Sequence, residues 1–185
     1  MVTERDSKAL EFIQHFGMVT TKQVDRLVYN QFNVCNNRMK KLCDDKIIKR
    51  KKNVYGMGFI YYDRHKISMV QYKHYMVRNE MYLKMIDEGC VFEQIIVDRQ
   101  LGSVRPDAVY KYKTKEDKSY FVFVEVELQI TAADVGKYNR YLQGEYLEHC
   151  GSMPLVVYVT DKVIKGALYP HITINTKLTD ICKIL

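Results

Sequence analysis

A chain of 185 residues that is 47% hydrophobic carries enough apolar material to bury a core, which excludes wholesale disorder and fits one domain or two small ones. Its net charge of +7 is unevenly placed: residues 1–78 hold 16 Lys/Arg and 7 Asp/Glu, a net of +9, and residues 79–185 hold the other 13 and 15, a net of −2. No run approaches the roughly 18 apolar residues of a membrane span, and Met1-Val2-Thr3-Glu4-Arg5-Asp6 has no apolar signal core, so a cytoplasmic protein with no membrane partner is expected.

In the basic half, Ser7 reads as an N-cap ahead of Ala9, Leu10, Ile13 and Phe16 at helical spacing, and Gly17 closes the helix. Thr20 or Thr21 caps a short second helix with Val24, Leu27 and Val28 on its apolar side. Asn33 is the expected cap of a third, on which Cys35, Met39, Leu42 and Cys43 form one stripe. The opposite face of that third helix carries Asn37, Lys40, Lys41 and Asp44, with Asn36 on the flank, and amide and ammonium groups on a protruding face suit base edges and phosphates. Between Ile47 and Tyr62, two β-rich runs flank a turn containing Asn53 or the Gly56/Gly58 pair. The cations Lys49, Arg50, Lys51 and Lys52 would neutralise phosphates, and Tyr55, Tyr61 and Tyr62 are candidates to stack on bases. Three helices and a basic hairpin predict a winged helix that binds double-stranded DNA; the same fold also serves protein–protein contact, and lysines also serve as plain solubilising groups.

A long helix is predicted from Ile67 to Glu88, ending at Gly89, with two apolar stripes, and it connects a domain at 1–66 to a second at 67–185. The second half predicts strands at Val91–Val97, from Arg105 to Tyr110, from Tyr120 to Leu128 and at Leu155–Thr160. A helix capped by Thr131 and closed by Gly151 precedes the last of these strands. The first three strands are hairpin-paired in this reading, and the helix carries the chain over to the fourth. Five cysteines with no C-x-x-C pair and no histidine at ligand spacing read as reduced thiols, not a zinc site or a disulfide framework.

Glu125 and Glu127 fall on one side of the third strand, and Asp107 starts the strand before it. If those strands pair, the three carboxylates meet near one sheet end, where their repulsion would call for a cation such as Mg²⁺ or Mn²⁺. The alternative, a solvated face of a half-exposed strand, stays open on spacing alone.

Pro106-Asp107, then Glu125-Val126-Glu127, then a helix resembles the PD-(D/E)XK nuclease core. With His74 and Asn79 on the connecting helix, Arg105-Pro106-Asp107, Glu125-x-Glu127 and Lys137-x-x-x-Tyr141, the chain is similar to the replication-relaxation family of plasmids and mobile elements. The resemblance implies an α+β protein, a winged helix-turn-helix joined by a long helix to a PD-(D/E)XK-like α/β domain with a mixed central sheet. It implies a metal held by Asp107 and Glu125, with Glu80 a further ligand or a plain surface charge, Glu127 assisting and Lys137 on the phosphate, for hydrolysis or nicking of DNA. The nuclease pattern wants Lys where this chain has Glu127, so the resemblance equally implies a fold kept for DNA binding, dimerisation or partner binding, as in a regulator or replication accessory factor.

Overall fold

The computed structural model describes residues 2–63, 71–128 and 132–185, and the chain divides into two compact units, Met1–Leu83 and Lys84–Leu185. Among the described residues no helix is long and apolar enough to cross a membrane.

The first unit opens with α1 (Glu4–Phe16). Its cap is Thr3 and not Ser7. The Thr3 hydroxyl accepts the Asp6 N–H at 3.2 Å, and Asp6 Oδ2 accepts the Thr3 N–H at 2.7 Å, a capping box. The apolar period begins only at Ala9, so periodicity could not reveal the polar first turn. Gly17, at φ +72°, closes the helix by donating its N–H to the Ile13 carbonyl at 2.8 Å. Strand β1 (Met18–Thr20) follows, too short to register as a period of two. Thr20 caps α2 (Thr21–Val24) through a second capping box with Gln23, and the helix widens over Asp25–Tyr29. Helix α3 (Phe32–Asp44) starts without a side-chain cap, so the predicted cap Asn33 lies inside its first turn. Strands β2 (Lys49–Lys52) and β3 (Phe59–Tyr62) form a hairpin, and β1 adds to β3, giving an antiparallel sheet of order β1-β3-β2. Phe12, Ile13 and Phe16 of α1, Cys35, Met39 and Leu42 of α3, and Ile60 and Tyr61 of β3 are buried. The buried stripe of α3 therefore leaves its other face to water.

Helix α4 (Tyr72–Asp87) ends ahead of Gly89, at φ +88°; the start expected near Ile67 lies outside the described residues. The buried Arg78 donates Nη2 to the Phe16 carbonyl at 2.7 Å and lies over the Tyr75 ring at 4.8 Å. Asn79, also buried, donates Nδ2 to the Met18 carbonyl at 2.7 Å. Together they satisfy carbonyls where α1 ends and β1 begins, groups that burial would otherwise leave unpaired.

The second unit is a mixed five-stranded sheet of order β4-β5-β6-β7-β8. Strands β4 (Val91–Val97), β5 (Ala108–Lys113) and β6 (Ser119–Val126) are antiparallel, whereas β7 (Leu155–Val159) and β8 (His171–Ile174) run parallel to β6. The parallel step requires a crossover, supplied by α5 (Ala132–Arg140), a wider turn at Tyr141–Glu145 and α6 (Tyr146–Cys150). The cap predicted at Thr131 lies outside the described residues. Tyr138, Tyr141 and Leu142 of the crossover bury against Phe123, Val156 and Tyr158 of the sheet. Strand β8 escapes sequence reasoning because four residues after a long loop give too little pattern.

Candidate functional site

Two surfaces carry the predicted residues. On α3, Asn37, Lys40, Lys41 and Asp44 are exposed, while Asn36 is half-buried with the Tyr61 hydroxyl 3.5 Å from its Oδ1. In the hairpin, Lys49, Lys51 and Lys52 are exposed, whereas Arg50 is half-buried with its guanidinium 4.5 Å above the Phe59 ring. Of the predicted stacking tyrosines, Tyr61 is fully buried and cannot meet a base; its hydroxyl sits 3.3 Å from Thr21 Oγ1, and burial pushes its pKa up to about 12. Tyr62 is half-buried and Tyr55 is exposed.

The hairpin is fastened at its base and its turn. Thr21 Oγ1 accepts the Phe59 N–H at 2.9 Å. A Cβ on Gly58 would lie 2.5 Å from that oxygen, and Gly58 holds φ +81°, so glycine is required there on both counts. Asn53 donates its N–H to the Gly58 carbonyl at 3.1 Å, and its Oδ1 accepts the Tyr55 N–H at 3.0 Å and the Tyr72 hydroxyl at 3.2 Å.

In the second unit, pairing of β5 with β6 sets Ala108 opposite Val124, which brings Asp107 to the sheet end where Glu125 lies. Asp107 Oδ2 accepts the Val126 N–H at 2.7 Å. Glu127 falls one residue past β6, its N–H held by the Val159 carbonyl at 3.0 Å. Glu125, Glu127 and Lys137 line one cavity of about 300 Å³, with Arg105, Tyr138 and Tyr158 also on its wall. The Tyr138 hydroxyl donates to Glu125 Oε1. Burial, then the Glu125 charge, raises the Tyr138 pKa well above the ordinary phenol value, so the hydroxyl stays a donor at neutral pH. Ser103, also on the cavity wall, is held by Glu145, which accepts both the Ser103 N–H at 2.5 Å and the Ser103 hydroxyl at 2.6 Å, and these bonds hold its carboxyl below the usual range.

The structure thus brings Glu125, Glu127 and Lys137 to one cavity, whose lining includes neither Asp107 nor Glu80. Among the described residues no three His, Cys, Asp or Glu side chains come together as a group that could hold a metal ion. One Asp107 oxygen is engaged by Val126 and one Glu125 oxygen by Tyr138. Glu80 belongs to the first unit, where its carboxylate accepts from Gln23 Nε2 at 3.1 Å and Arg26 Nη1 at 2.9 Å. Lys137 and Arg105 on the cavity wall can offer charge-assisted hydrogen bonds to an oxyanion. Sequence reasoning missed the contributions of Ser103, Tyr138 and Tyr158, which only long-range pairing gathers; Tyr158 stands in register beside Glu125 on the neighbouring parallel strand.

No family model and no curated protein matches the chain. Among solved structures it is similar to the crystal structure of a repair endonuclease from Pyrococcus abyssi, at a TM-score of 0.34 and 17% identity. The likeness covers 59% of this chain and 45% of that one, so the chain spans under half the length of that protein.

Proposed function

We propose that this is a DNA-binding protein whose first unit is a winged helix, with α3 in the major groove of a duplex and the β2–β3 hairpin on the flanking backbone. The observation that carries this reading is the exposure of Asn37, Lys40 and Lys41 on the uncovered face of α3, followed in the chain by a strand whose Lys49, Lys51 and Lys52 are also exposed. Three helices followed by a hairpin that is completed by β1 into a β1-β3-β2 sheet is the order such a fold needs. The second unit, in this reading, is a nuclease-like domain that has lost its chemistry. Glu127 stands where the pattern wants lysine, and one oxygen each of Asp107 and Glu125 already accepts a hydrogen bond, from Val126 and Tyr138. The sequence resemblance to replication-relaxation proteins then points to a replication accessory factor or regulator of a plasmid, phage or integrated element.

The test is titration of a labelled duplex at several salt concentrations. Log affinity is expected to fall linearly with log salt, and replacing Lys49, Lys51 and Lys52 by Gln to reduce the slope by about 0.9 for each phosphate no longer neutralised. No affinity at low salt overturns the proposal, and an unchanged slope removes the hairpin from the interface.

A further inference from the structure

The tip of the hairpin is apolar where its arms are cationic. Val54, Tyr55 and Met57 are 67, 59 and 80% exposed, three large apolar side chains within four residues. Such a cluster costs solvation free energy unless something covers it. It is also held rigid. The Tyr55 ring stacks on Tyr72 with centroids 4.6 Å apart and 28° between planes, and Asn53 Oδ1 ties the Tyr55 N–H to the Tyr72 hydroxyl. The Thr21 contact at Gly58 fixes the returning strand. Cations stand near the tip: exposed Lys51 and Lys52 lead into it, and Lys22 lines the same groove as Tyr55 and Met57. Glu80, on that groove, is neutralised by Arg26.

A rigid apolar point with cations near it is complementary to a surface that is anionic outside and apolar within, which describes the base stack behind the phosphates of a duplex. We infer that the hairpin tip is a wedge: Met57, with Val54 beside it, enters between two base pairs from the minor groove, partly unstacks them and kinks the DNA. Tyr55, braced on Tyr72, supports the insertion. The inference rests on the DNA-binding reading and adds a deformation that phosphate and base-edge contacts alone do not produce.

The experiment compares the full-length chain with the Val54→Ser/Met57→Ser variant on an end-labelled duplex. Binding is followed by anisotropy and bending by energy transfer between the labelled ends. Both replaced side chains are exposed, so the variant should keep the wild-type melting temperature. The wild type is expected to bend the duplex by roughly 20–90°. The variant is expected to bind with the same salt slope and to lose the bend. Binding without bending by the wild type, or equal bending by the variant, overturns the wedge and leaves the DNA-binding reading standing. Absence of binding at low salt overturns both. A dimer that the variant dissociates while bending is unchanged assigns the tip to a second copy and also overturns the wedge.

Discussion

Asp6 is fully buried, yet its Oδ1 accepts the Tyr29 hydroxyl at 2.7 Å and Arg38 Nε at 3.1 Å, while Oδ2 accepts the Thr3 N–H at 2.7 Å and a second Arg38 nitrogen. One carboxylate therefore joins the first turn of α1 to α3, the helix that carries the proposed base-reading face. Burial works to raise its pKa, but the Arg38, Thr3 and Tyr29 bonds outweigh burial and hold the carboxyl well below the usual range. A depressed folded-state pKa gives stability that is complete above the unfolded value near 3.9 and is lost as pH falls through the folded one. Asp6→Asn should accordingly flatten the loss of stability of the wild type below about pH 4, read from denaturant midpoints across pH. Asp6→Ala, which strands Arg38 and Tyr29, is expected to cost about 3 kcal/mol at neutral pH, read from the same midpoints. At Gly58, an alanine meets both a left-handed backbone and Thr21 Oγ1, so Gly58→Ala should lower stability by roughly 1–3 kcal/mol in thermal melts. Neither Asp6 nor Arg38 stands out in the chain; their pairing across 32 residues exists only once α1 and α3 pack.

Among the elements, α3 was legible because its two faces differ: Cys35, Met39 and Leu42 recur at helical spacing and are buried, and Asn37, Lys40 and Lys41 between them are exposed. The hairpin was legible because β-rich runs flank a glycine-containing turn. Strands β1 and β8 were not, since three or four residues carry too little period and are stabilised by pairing with neighbours distant in the chain. Helix starts were misread where the first turn is polar, at Thr3, or lacks a side-chain cap, at Gln31. For α3 itself, Lys40→Gln/Lys41→Gln should leave the melting temperature unchanged, because both side chains lie in water, and should weaken duplex binding and lower its salt slope by about 1 for each phosphate left without its lysine. An unaltered affinity would take this face out of the interface.

At the scale of the whole molecule, the uneven charge of the chain acquires addresses: the cations of the first unit concentrate on α3 and the hairpin, and Glu125 and Glu127 of the second share a cavity with Lys137. On the proposed reading of a second unit without nuclease chemistry, in which Glu127 takes the place of the pattern's lysine, supercoiled plasmid should stay supercoiled with the protein and Mg²⁺ or Mn²⁺. Nicking that Glu125→Ala abolishes would refute this. Local pattern sufficed for the amphipathic helices, the basic hairpin and the antiparallel pairing of the second unit's first three strands, because each rests on periodicity and turn chemistry that neighbouring residues dictate. Only the tertiary structure decided which oxygens the carboxylates spend and on what, that Tyr61 is buried while Tyr55 stands at the tip, and that Glu80 pairs with Arg26. Those outcomes depend on partners from 13 to 54 residues away, such as Tyr138 for Glu125 and Arg26 for Glu80, and no local pattern encodes a contact that forms only when distant segments pack.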